Sequence, residues 1–104
     1  MDENKEIIVY IDADLEDLIP EYLENRQKDI TDIRQLLETE DIKSIERIGH
    51  SMKGSGGGYG FEHIGEIGKD LENACKSYNK NEIINLNNQL EDYLASIKIV
   101  FQVL

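Results

Sequence analysis

Apolar residues recur at intervals of three and four along most of the chain, and this period restricts the possible folds more than any other feature. Ile19, Leu23, Ile30, Ile33 and Leu37 hold one register. Ile42, Ile45, Ile48 and Met52 hold a second, and Phe61, Ile64, Ile67, Leu71, Ala74 and Tyr78 a third. Ile83, Leu86, Leu90, Tyr93, Ile97, Val100 and Leu104 continue a fourth to the C-terminus. Side chains three and four apart share one helix face, so each set describes an amphipathic helix with a stripe to bury. The spacing predicts a first helix ending near Glu38, a second fading near Gly58 to Gly60, and a fourth running to the end of the chain. Pro20, the only proline, falls where a helix can begin, since proline suits the first turn and breaks an interior. The breaks at Glu38-Thr39-Glu40-Asp41 and Asn79-Lys80-Asn81 are short. The expected fold is therefore all-α, an antiparallel up-and-down four-helix bundle forming one domain over residues 1–104. The fourth register could also seam an intermolecular coiled coil, but the other three stripes need the same surface, so a monomer is expected.

Residues 7–11, Ile-Ile-Val-Tyr-Ile, are β-branched and aromatic and would read as a strand if a second strand existed to pair with them. No such partner is evident, so residues 1–11 are expected to form a strap against the bundle, ending where Asp12 or Asp14 caps a short helix. Arg26 and Asp29 are expected on the surface of the first helix.

With 22 acidic against 11 basic residues the net charge is −11, which repels phosphate backbones and argues against nucleic-acid binding. No run approaches the roughly 20 apolar residues of a membrane span, and the acidic start lacks the pattern of a secretion signal, so a cytoplasmic location without membrane attachment is expected. Cys75 is the only cysteine, which rules out an internal disulfide and a four-thiolate zinc site, and two histidines argue against a histidine-rich metal centre.

On the second helix, His50 lies roughly 145° from the centre of the apolar stripe and should face solvent. Lys43, Arg47, Lys53, Gly54 and Gly57 spread around the same outer side, so a basic patch surrounds the imidazole on an acidic protein. Imidazole titrates near neutrality, so such a side chain can act as a nucleophile in the cell. Lys53 at i+3 can stabilise a phosphoryl group, and the missing side chain at Gly54 leaves room for a bulky partner. Tyr59 is a candidate for an apolar contact with that partner, or else a cap over the bundle end. The helix-weakening Gly54, Gly56, Gly57 and Gly58 need compensation, either from close approach of a partner or from tight packing of helices, and the sequence does not separate the two.

His50, Lys53, Gly54, Ser55, Gly60 and Phe61, followed by Ile64, Leu71 and Glu72, resemble the signature of histidine-containing phosphotransfer (HPt) domains of bacterial multistep phosphorelays. Leu18 to Arg26 is similar to the first long helix of such domains. The resemblance implies a four-helix bundle in which His50 is the phosphoacceptor, Lys53 assists the phosphate and Gly54 provides steric clearance. Partner-binding residues would be Lys43, Arg47, Gly57 and Tyr59. It implies a phosphoryl carrier without kinase activity, whose partners are response-regulator receiver domains and a sensor or hybrid histidine kinase. No cofactor is expected on this chain; magnesium belongs to the partner receiver. The sequence departs from the family at Gly49, where a small alanine is common, and in the three successive glycines 56–58.

Two other functional readings fit the same residues: a noncatalytic receiver- or kinase-binding module, and the phosphorylatable N-terminal module of a chemotaxis-type kinase. Ser55 is expected to bond local backbone. His63 reads as a partly exposed packing residue and Cys75 as core. The glycine run is not a nucleotide loop, because no GxGxxG threads through it and the lysine precedes the glycines.

Overall fold

The computed structural model describes residues 6–103. Its order is β1 (Ile7–Asp12), a 3-10 turn (Ala13–Leu18), α1 (Ile19–Glu38), α2 (Ile42–Gly56), α3 (Glu62–Lys76), α4 (Lys80–Ser96) and β2 (Ile97–Gln102). The four helices arise where the apolar stripes lie. Ile19, Ile30, Ile33, Ile42, Ile45, Met52, Ile64, Ile67, Leu71, Ile83, Leu86 and Leu90 are buried together in one core. Asn87, also buried, ties α4 to α1 by donating from Nδ2 to the Ile30 carbonyl at 3.1 Å.

Side-chain caps set the starts of α2 and α4. Asp41 accepts from the Ser44 amide and Asn79 from the Glu82 amide, each at 3.1 Å, satisfying an amide that the first turn leaves unpaired. Pro20 sits in the first turn of α1, and Asp12 caps the 3-10 turn through the Asp14 amide. The ends of α1, α2 and α3 share one device. Glu40, Gly60 and Tyr78 have positive φ values of 56°, 91° and 53°. The amide after each reaches back to a carbonyl of the last turn: Asp41 to Leu36, Phe61 to Gly56 and Asn79 to Ala74.

Four expectations are corrected. Residues 7–11 of the strap belong to a two-stranded sheet, because β1 pairs in parallel with β2 in a register from Ile7–Ile97 to Asp12–Gln102, and residues 1–5 lie outside the described residues. Accordingly α4 stops at Ser96, and Ile97 and Val100 belong to a strand that turns Ile99 and Phe101 toward the core; Leu104 lies outside the described residues. Tyr78 lies beyond α3 and is 68% exposed. Arg26 is buried, with its guanidinium 4.6 Å from the centre of the Tyr22 ring and a 2.8 Å bond to Asp29, because the flat cation stacks on an aromatic face while an acid neutralises it.

Candidate functional site

The site is built on the contact between α2 and α3, and glycines make that contact close. A Cβ on Gly49 would stand 2.9 Å from the Glu72 amide nitrogen, and one on Gly68 only 2.7 Å from the Gly49 carbonyl oxygen. Gly56 is likewise pressed against the Gly65 backbone, where an added Cβ would lie 2.7 Å from its Cα. Side chains at these positions would force the helices apart. Gly49, the departure from the more common alanine, thus follows from how near this pair of helices stands.

Two other glycines behave differently. A Cβ on Gly54 or Gly57 would meet nothing within 4 Å. They follow His50 at i+4 on α2 and at i+7, where Gly57 caps the helix with helical φ and ψ, so a strip of bare backbone extends from the histidine along the exposed face. Gly49, Gly56 and Gly68 thus serve packing, while Gly54 and Gly57 leave the surface open.

The close helix contact lets Glu72 of α3 reach His50 of α2. Nδ1 of His50 lies 3.0 Å from Oε2 of Glu72, while 71% of the His50 side chain stays exposed. Glu72 is mostly covered, with 12% of its side chain accessible, and Lys53 and Lys76 approach its carboxylate at 3.7 and 4.0 Å. Burial pushes the carboxyl upward, but the His50 hydrogen bond and the charges of Lys53 and Lys76 outweigh it and hold the group below its ordinary value. An ionised carboxylate can only accept, so Nδ1 carries the proton and Nε2 of the neutral ring keeps its lone pair. Nε2 is the atom free to act as a nucleophile.

Lys43 and Arg47, two turns and one turn before the histidine, line a cleft of about 480 Å³ with Glu46, His50 and Glu72. Lys53 is half-exposed on the other side. Tyr59 is placed as a cap, half-buried and stacked on Tyr22 with ring centres 4.4 Å apart, and Tyr22 continues the stack onto Phe61. Ser55 corrects another expectation: its hydroxyl meets the Tyr22 hydroxyl at 3.3 Å on α1 rather than local backbone. His63 packs by its ring on Tyr93 at 4.8 Å. Cys75 is core, and burial, with added repulsion from Glu46 and Glu72, raises its thiol to about 11, so it is no nucleophile at neutral pH.

The family model for the Hpt domain matches residues 17–99, most of the chain. The chain belongs to the Hpt domain family. Members are histidine phosphotransfer modules of phosphorelays that typically interact with receiver domains and kinases, and the four helices of this Hpt domain agree with that assignment. No curated protein and no solved structure matches the chain. The match leaves out β1 and takes in the first three residues of β2. Among the described residues, no helix is long and apolar enough to cross a membrane.

Glu72 is the residue whose position the sequence did not reveal. It occurs in the resemblance but lies 22 residues after His50, and only the glycine-mediated helix contact brings the two together.

Proposed function

We propose that this Hpt domain accepts a phosphoryl group on His50 from an aspartyl phosphate of a receiver domain and passes it to a second receiver. The observation that carries the reading is the exposed imidazole whose Nδ1 is tied to Glu72, leaving Nε2 open beside the bare backbone of Gly54 and Gly57.

In the transfer, the Nε2 lone pair attacks phosphorus in line, the N–P bond forms, the aspartyl O–P bond breaks and the aspartate leaves as a carboxylate. The ring becomes a phosphoimidazolium whose Nδ1–H still donates to Glu72, so the carboxylate offsets the positive charge that develops on the ring. Lys53 is one turn from the histidine and neutralises charge on the incoming phosphoryl oxygens. Lys43 and Arg47 attract the partner, Gly54 and Gly57 admit it, and magnesium is held by the receiver. The chain is a carrier with no kinase activity of its own, and the reverse steps deliver the group to the next aspartate.

The test is incubation with receiver domains phosphorylated on aspartate in the presence of magnesium. Wild-type protein should acquire an acid-labile, base-stable phosphate that His50→Gln lacks. Label retained in His50→Gln would refute the assignment, and binding without label in the wild type would identify a noncatalytic module instead.

A further inference from the structure

The cleft beside His50 does not end at Lys43. A second depression of about 310 Å³ shares Lys43 and Glu46 with it and continues past Cys75 and Lys76 to Tyr78 at the turn between α3 and α4. Together they form one trough along the contact of α2 and α3. Lys43, Arg47 and Lys76, three of the chain's 11 basic residues, line it. The acids among them are held low: 23% of the Glu46 side chain and 12% of the Glu72 side chain are accessible, against 77% for Lys43 and 61% for Lys76. On a protein of net charge −11, the outermost charges of this trough are positive.

Tyr78 closes the far end. It ends α3 at φ 53°, a conformation that suits glycine and strains a bulky residue, and its ring is exposed. An exposed aromatic kept in a left-handed turn has a cost in stability without a packing return, the kind of local strain that accompanies function. Tyr59, the aromatic that the sequence suggests for partner contact, is by contrast spent in the stack on Tyr22.

We propose that the trough from His50 to Tyr78 is the docking surface for an acidic protein face that carries an apolar side chain about one helix-end away from its phosphoryl group, with Tyr78 as the apolar anchor. The inference rests on the phosphoacceptor reading of His50 and adds the direction in which the partner lies, toward the start of α2 and the end of α3. Positive lining selects an acidic partner by charge complementarity, and the aromatic supplies the desolvated contact that fixes register.

The test measures phosphotransfer from a panel of receiver domains, phosphorylated with acetyl phosphate and magnesium, to the full chain. Tyr78→Gly relieves the strained turn and should raise the melting temperature by about 2–4 °C. The same variant should lower the second-order transfer rate about tenfold, and Tyr78→Phe should restore it. Lys43→Glu with Arg47→Glu should slow transfer about tenfold at low salt and flatten its salt dependence, while Lys28→Glu on α1 leaves transfer unchanged. Wild-type rates in Tyr78→Gly, or equal slowing by Lys28→Glu, would overturn the proposal. Phosphoramidate separates the two readings because it needs no docking. If it labels His50 in the wild type but no receiver does, docking at the trough is refuted while the phosphoacceptor stands; if neither labels His50, both fall.

Discussion

His50 and Glu72 are joined across α2 and α3 by a 3.0 Å hydrogen bond whose acceptor is largely covered and whose donor ring is largely exposed. The pair makes the imidazole directional, with one nitrogen occupied and the other presented to solvent. Replacing Glu72 by alanine should release the ring to exchange tautomers and remove the charge that offsets a phosphoimidazolium. Transfer to His50 at saturating donor should slow about tenfold or more. Long-range nitrogen–proton NMR of the imidazole distinguishes this from a loss of fold, because the wild type should show the Nδ1–H form and Glu72→Ala a mixture enriched in Nε2–H. An unchanged tautomer would exclude Glu72 as the positioning group.

The glycines of α2 and α3 should respond oppositely to the same one-carbon change. Gly68→Ala places a methyl 2.7 Å from the Gly49 carbonyl oxygen, against backbone that cannot swing aside, and should cost about 1–3 kcal/mol. Gly54→Ala meets open space on a helix and should add up to about 1 kcal/mol. Urea titration of the two variants checks both signs. Gly54→Leu should remain folded yet slow exchange with receivers, since its side chain would occupy the strip beside His50.

Helix positions were legible in the sequence because stripes, caps and breaks are local: Asp41, Asn79 and Pro20 act within one turn of the helices they start. Exposure of His50 followed from helix phase alone. What escaped depends on contacts between distant segments. The period that places Ile83 to Tyr93 on one face of α4 continues through Ile97 and Val100 without a break, so the change to strand is invisible without its partner at residues 7–12. Arg26 has a surface residue's composition, and only the Tyr22 ring and Asp29 around it explain its burial. The Gly68–Gly49 approach that sets Glu72 beside His50 is likewise nonlocal.

Acid should destabilise the domain through identified carboxylates. Burial works to raise Glu72, but His50, Lys53 and Lys76 bring it below its ordinary value. Asp41 is lowered by its bonds to the Ser44 hydroxyl and amide, Glu91 by Arg34 and Glu40 by Lys80. A carboxyl depressed in the folded state contributes stability that is complete above its unfolded value and lost as pH falls through the folded one. Asp29 runs the other way, raised by burial against the pull of Arg26, and offsets part of the loss. The urea midpoint should therefore hold from about pH 7 to about pH 5 and decline below about pH 4.5. Asp41→Asn, which keeps the cap acceptor but not the charge, should show a shallower decline.

The parallel ribbon should be part of the cooperative fold rather than a loose pair of ends. Two strands alone are marginal in water, so β1 and β2 must draw their stability from the helices beneath them. Ile11 provides that connection: it is 1% exposed, belongs to the same core as Phe61 and Leu90, and lies in register with Phe101. Ile11→Ala should cost about 2–4 kcal/mol, as for other buried large-to-small changes. Amide exchange of residues 97–102 should accelerate in the same variant, because β2 loses the partner that holds it on the core. Ile8→Ala, a neighbour on β1 whose side chain is 51% exposed, should change stability by less than about 0.5 kcal/mol. If both substitutions left exchange in β2 unaltered, the ribbon would be anchored by β2 alone, and Ile99 and Phe101 would be the residues to replace next.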